Sequence, residues 1–194
     1  MVIPVHLAGQ SCDMEAISAL AEQYQFSIIE DASHAVGAKY KNFPVGNCQF
    51  SDITVFSFHP VKIVTSAEGG VALTNNALVA RKMQLYRSHG VTNQLDEMTE
   101  ESHGPWYYQQ IALGFNYRMT ELQAALGLSQ LSKLNNFVEQ RNSLAKKYDE
   151  MFLNTTLTCL RVMPDNYSAY HLYVVLLPTS NKEKHREVIT ALRA

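Results

Sequence analysis

Apolar and polar positions along the chain follow two different periods. Val2, Ile3, Val5 and Leu7 form a short apolar run that ends at Gly9. Behind Asp13, a suitable cap, Met14, Ile17, Leu20, Ala21 and Tyr24 recur at the spacing of one helix face. The β-branched run "FSIIED" (26–31) then predicts a strand. Strand, helix and strand thus follow one another within about thirty residues, the pattern of a βαβ unit with parallel strands and a right-handed crossover.

"ITVFSF" (53–58) and "GGVALT" (69–74) predict two further strands, and "NALVARKMQLYRSHG" a helix closed by Gly90. Between Val91 and Gln110 the chain turns polar, with Gly104-Pro105 leading into Trp106, Tyr107 and Tyr108, which predicts a long surface loop. From Thr120 to Phe152 one long helix is expected, with Glu121 in its first turn. Its first half carries Leu122, Ala124, Ala125, Leu126, Leu128 and Leu131 and is apolar nearly all round. Such a helix is expected to be covered on several sides, by the domain core or by a second subunit. Its second half is one-sided, through Leu134, Phe137, Val138, Leu144 and Tyr148.

After "NTTLTCLRVMPDNYSA" the pattern changes to a strand, "YHLYVVLLP", and a helix, "NKEKHREVITALRA". The reading is an α/β domain with a mostly parallel sheet over residues 1–153 and the start of a smaller α+β domain over residues 154–194. One strand and one helix cannot bury a core of their own, and the first strand begins at residue 2, so both ends read as cut.

Composition narrows the partners. With a net charge of −2 and no dense Lys/Arg cluster, the chain has no electrostatic footprint for nucleic acid or anionic lipid. A small molecule or a protein is expected instead. Cys12, Cys48 and Cys159 are odd in number and widely spaced, so neither a disulfide framework nor a CxxC metal site is indicated, and a reducing cytoplasm fits. "RSHG" with His103 has poor spacing for metal ligands. The start lacks a basic, then apolar, targeting pattern, and no run of about 18 apolar residues follows anywhere.

Open α/β sheets bind ligands beyond the carboxyl ends of their strands. Past "FSII" lie Glu30, Asp31 and His34; past "ITVFSF" lie Ser57, His59 and Lys62. A lysine amine can form a Schiff base with a carbonyl, and a carboxylate on a neighbouring strand end is what a pyridine cofactor needs to keep its ring nitrogen protonated. Each residue also has an ordinary reading. A lysine at a strand end is commonly a solvated charge, an aspartate there a turn cap, a lone histidine a structural one, and Gly69-Gly70 a turn.

Six stretches in order, "PVHLAGQSCDMEAI", "IIEDASHAVGAKY", "FSFHPVKIVTSAEGG", "RSHG", "FNYRMTELQAALGLSQL" and "HLYVVLL", are similar to motifs of the DegT/DnrJ/EryC1/StrS sugar aminotransferases. "DASHA", "FHPVK" and "AEGG" most resemble the branch that aminates a UDP-linked 4-keto-6-deoxy sugar on the route to pseudaminic acid. The resemblance implies a type I pyridoxal phosphate (PLP) transferase fold, like that of aspartate aminotransferase, and a cytoplasmic homodimer. It also implies amino transfer from glutamate to a nucleotide-linked keto sugar.

By position, Lys62 resembles the Schiff-base lysine, Asp31 the carboxylate on the pyridine nitrogen, and His34 a Gln or His near the ring and its 3-hydroxyl. Ser57 falls where a hydroxyl binds the cofactor phosphate, and Asn116 where an asparagine reaches the neighbouring subunit's phosphate. His59 and Arg118 stand where substrate is expected. A PLP-dependent sugar dehydratase of the same fold typically has histidine in place of the lysine, so Lys62 speaks against that relative. Two departures stand out. Ala67 replaces the Gly common ahead of "EGG", which matters only if that residue takes a positive φ. Family members are also roughly twice as long. The competing reading is a truncated, catalytically incompetent remnant that only dimerises.

Overall fold

Asp13 caps the first helix as its position predicts, Oδ1 accepting from the Ala16 amide at 3.2 Å. In this computed structural model, which describes residues 1–194, the order is α1 (Met14–Tyr24), β1 (Ile29–Asp31), β2 (Lys39–Tyr40), β3 (Phe43–Pro44), β4 (Ile53–Ser57), β5 (Gly70–Leu73) and α2 (Ala77–Arg87). There follow β6 (Val91–Thr92), β7 (Gln109–Gln110), α3 (Glu121–Leu131), α4 (Leu134–Phe152), β8 (Thr158–Cys159), β9 (Asn166–Tyr167), β10 (Val175–Leu176) and α5 (Lys182–Arg193).

The central sheet has the order β1-β4-β5. β1 and β4 run parallel with Asp31 opposite Val55, whereas β5 turns back antiparallel on β4 with Gly70 opposite Ser57. The opening run lies parallel to β1 but touches it only through Val2–Ile28 and Val5–Asp31 bridges. Pro4 between them has no N–H to give, although its carbonyl accepts from Asp31 at 2.9 Å. The parallel crossover of a βαβ unit is kept, but its first strand is reduced to those two bridges, and β5 adds an antiparallel strand on the far side of β4.

The main core sits under the carboxyl ends of β1 and β4. Ala32, Ala35, Phe56, Phe58, Ile63 and Val64 pack there against Val138 of α4 and Ala169, with Met119, Leu134 and Phe137 at the margin. A smaller cluster, Met14, Ile28 and Tyr40, joins α1 to the sheet.

Three expectations change. The helix from Thr120 is two helices, α3 with a Thr120–Gln123 capping box and α4, broken at Ser132-Lys133. There the Ser132 hydroxyl bonds back to the Ser129 carbonyl at 2.8 Å, an alternative to the helical ladder. The domain core does not cover α3: Leu122 is 85% exposed and Leu128 72%. The polar stretch after Val91 is no structureless loop, because β6 and β7 pair antiparallel and the buried Gln109 side chain ties Thr99, Glu100 and Tyr107 together. Arg81 of α2 holds the same excursion through Glu97 and Thr92. The strand in "YHLYVVLLP" is confined to Val175–Leu176, paired with β8, while β9 pairs with β2 across the 153/154 boundary.

Candidate active site

Strand alternation sorts the acids past "FSII". Asp31 lies on one face of β1, half-buried, and its Oδ1 accepts from the Ser33 amide at 3.0 Å. Burial would raise the Asp31 carboxyl, but the Ser33 hydrogen bonds and the positive fields of His34 and Lys62 outweigh it, and the group is held below its ordinary value. Glu30 is buried with a different set of partners. It accepts from His6 Nε2 at 2.6 Å, from Thr54 at 2.9 Å and from Ser51. Burial opposes its charge, and the His6 and Ser51 hydrogen bonds overcome it, so Glu30 too is shifted down. The fully buried His6 takes the Cys12 amide at Nδ1. This pair supports the strand that carries Asp31 and lies outside the site.

Beyond β4 the chain makes a tight excursion closed at its neck by Phe58, whose amide donates to Gly69 and whose carbonyl accepts from Ser66. Ile63 and Val64, 5% and 1% exposed, plug this loop into the core and thereby hold Lys62, the residue before them, at the edge. Lys62 donates its own amide to the His59 carbonyl at 2.9 Å and takes part in no ion pair. Its charge bears on Asp31, His34 and His171, so these four side chains share one neighbourhood. Ser57 closes β4, its Oγ accepting from the His59 amide at 3.4 Å.

Ala67 takes φ +66° and Gly69 φ +149°, so the position where the family commonly has Gly does sit in left-handed backbone. At Gly69 a Cβ would lie 2.5 Å from Met119 and 2.7 Å from Ser66 Oγ. That glycine lets the strand return directly past the lysine loop.

The other sequence candidates are exposed side chains. His59 is exposed and sits 3.9 Å from Glu68 Oε1. Asn116 and Arg118 are exposed on the segment that pairs back on the end of α2, through the Ser88–Asn116 bridge and the Tyr117 amide to Arg87. Neither makes a side-chain hydrogen bond with Asp31, His34, Ser57 or Lys62. The residue that sequence reasoning missed is His171. Its ring lies 4.4 Å from that of His34, tilted by 39°. The only signal for it was its place in "HLYVVLL", which says nothing about where that segment docks.

Fold and motif define the class, an α/β transferase of the PLP-dependent aminotransferase type. The chain belongs to the DegT/DnrJ/EryC1/StrS aminotransferase family, whose model matches residues 1–194. It is 38% identical over 174 residues to a UDP-4-amino-4,6-dideoxy-N-acetyl-beta-L-altrosamine transaminase of Campylobacter jejuni, covering 89% of this chain and 43% of that protein. Helicobacter pylori PseC, described as an aminotransferase involved in the biosynthesis of pseudoaminic acid, superposes with a TM-score of 0.86 at 33% identity, over 98% of this chain and 49% of its own. The PLP form of a Streptococcus pneumoniae sugar aminotransferase, Spr1654, gives 0.86 at 28% identity over 98% and 51%, and that enzyme is also known in a PMP form. PLP is the cofactor of this family. The chain spans about half the length of the curated relatives it matches. No helix is long and apolar enough to cross a membrane.

Proposed function

We propose that this chain is the cofactor-bearing part of a sugar aminotransferase that moves an amino group from glutamate to a nucleotide-linked 4-keto-6-deoxy sugar. The product would serve surface polysaccharide or nonulosonate (pseudaminic acid) biosynthesis in the cytoplasm. One observation carries the reading: Asp31 ends β1 beside the parallel strand β4, and the ion-pair-free Lys62 in the loop beyond β4 lies close enough for its charge to bear on Asp31 and His34. The names of the Campylobacter and Helicobacter relatives support the sugar class.

The donor set suits PLP. Asp31, half-buried and held ionised, would set its carboxylate against a protonated ring nitrogen. Lys62 offers its amine to an aldehyde, and the Ser57 hydroxyl and nearby backbone offer donors to a phosphate. Bound there, PLP supplies an electron-accepting ring that stabilises negative charge beside an amine carbon. With the cofactor held there, Lys62 Nζ would be the base that takes the Cα proton of the donor and the acid that returns a proton. Asp31 keeps its negative charge throughout because its folded environment favours it.

In the same reading, residues 1–153 form the large domain and 154–194 open a small one. Asn116 reaches the phosphate of the neighbouring subunit in a homodimer, and His59 and Arg118 meet substrate. Incubation with PLP, borohydride reduction and mass spectrometry test the core claim. A pyridoxyl adduct is expected on the peptide holding Lys62 and is lost in Lys62→Ala, whose circular dichroism stays unchanged. Adducts scattered over other lysines, in the full-length protein as well, would overturn it.

A further inference from the structure

We propose that His171 is a positioning residue for His34. Its ring packs at a tilt against the His34 imidazole and holds it as the tautomer whose Nδ1 accepts the Ala8 amide and whose Nε2 carries the proton. The contacts that deliver both rings are built from strained and over-tied backbone. Ala8, which donates to His34 Nδ1 at 3.4 Å, lies at φ +62°, and Tyr170, immediately before His171, lies at φ +44°. Non-glycine residues hold such left-handed conformations only where the surroundings impose them, and they gather at functional sites.

The ties are visible on both sides. The Ala169 amide donates to the Gly9 carbonyl at 2.9 Å and Leu172 to Ala8 at 3.3 Å. Gly9 is required for this approach, since a Cβ there would lie 2.6 Å from the Tyr170 nitrogen. From α4, Arg141 donates to the carbonyls of Tyr170 at 3.0 Å and His171 at 3.4 Å, and Asn142 to Ser168 at 2.9 Å. Residues 168–172 are thus clamped between the Ala8–Gly9 turn and α4, and the clamp presents His171 to His34 at 4.4 Å.

The hydrogen bonding of His171 fits a ring used for its face. Its Nδ1 is buried without any partner, so it competes neither for the Ala8 amide nor for the His34 proton. Burial first, and then the Lys62 charge, push His34 below its ordinary value against the opposing pull of Asp31. His34 faces Lys62, Asp31 and His171, and His171 faces His34, Lys62 and Arg141. Burial first, and then this positive surround, push His171 down to about 4. A neutral His34 with Nδ1 occupied has a single donor left, Nε2–H. The inference rests on the proposed function only for what that donor meets, an acceptor oxygen of cofactor or substrate.

The test uses cofactor-free protein, so a failure of PLP labelling at Lys62 does not bear on it. Long-range proton–nitrogen NMR reads the tautomer and titration of His34 among the seven histidines, assigned by the signal lost in His34→Gln. In the wild type, Nδ1 is expected unprotonated and Nε2 protonated at neutral pH. His171→Ala is expected to mix the tautomers and raise the His34 midpoint, and His171→Phe, which restores a ring against His34, to return the single tautomer. If His171→Ala fails to fold, His171→Asn takes its place in the comparison with His171→Phe. A His34 tautomer and midpoint unchanged without the ring, or no better preserved by Phe than by the ringless variant, would overturn the proposal.

Discussion

The edge of β1 and β4 and the band from Leu113 to Leu131 are both rich in apolar residues, yet most of the first are buried and most of the large ones in the second are exposed. At the edge, Ala32, Ala35, Phe58, Ile63 and Val64 are buried by α4 and by one another, and they seat Asp31, His34 and Lys62. In the band, Leu113 is 87% exposed, and Phe115, Tyr117, Leu122 and Leu128 are exposed with it. A contiguous face of that kind is what an interface with another chain looks like. Apolar pattern tells which positions want cover, and topology tells whether the same chain supplies it.

The comparison breaks most visibly at the edge. His6→Ala, which leaves Glu30 buried without its 2.6 Å partner, is expected to cost about 3–5 kcal/mol in urea unfolding. A loss near zero would mean that the pair does not support β1. Because the Glu30 pKa is lowered on folding, its contribution is present above its unfolded value near 4.5 and is lost as pH falls through the lower folded value. Glu30→Gln should therefore flatten the acid limb of the stability profile below about pH 4.5; an acid limb as steep as the wild type would place the titration elsewhere.

A smaller effect is expected within the lysine loop. Ala67→Gly relieves a left-handed alanine and should stabilise by about 1 kcal/mol, measured as an upward shift of the thermal midpoint. Destabilisation there would mean that the loop gains more from a stiff residue than it loses to strain. The smallest effect is expected in the band. Leu122→Asp with Leu128→Asp should change unfolding of the isolated chain by less than about 0.5 kcal/mol, since both are already exposed. In sedimentation the same pair should abolish self-association of the full-length protein, and an unchanged dimer would move the proposed interface off this face.

Much of the local structure was legible. The Asp13 and Thr120 caps, the one-sided face of α4 and the strands at 29–31, 53–57 and 70–73 follow from spacing and side-chain chemistry. Lys62 and Asp31 were readable because a strand end announces itself by a change of period. What misled was grouping by proximity in sequence. Glu30 stood beside Asp31 in the chain but lies in the His6 network, since neighbouring residues of a strand point to opposite faces. The break at Ser132-Lys133 was invisible because it is a change of backbone bonding that no side-chain signal marks, the Lys133 amide turning to the Gln130 carbonyl three residues back at 3.0 Å.

The amino-acid sequence by itself determined the α/β alternation, the family motifs and the lysine and aspartate at two strand ends, because these depend on local periodicity and on residue type. Only the tertiary structure decided that Lys62 bears on Asp31 and His34, that His171, 137 residues further along than His34, packs against it, and that Leu122 and Leu128 of α3 stay exposed. Those outcomes depend on which segments the folded chain brings within a few ångströms of each other. Contacts of that range are set by packing and backbone ties such as Ala169 to Gly9, which no periodicity along the chain encodes.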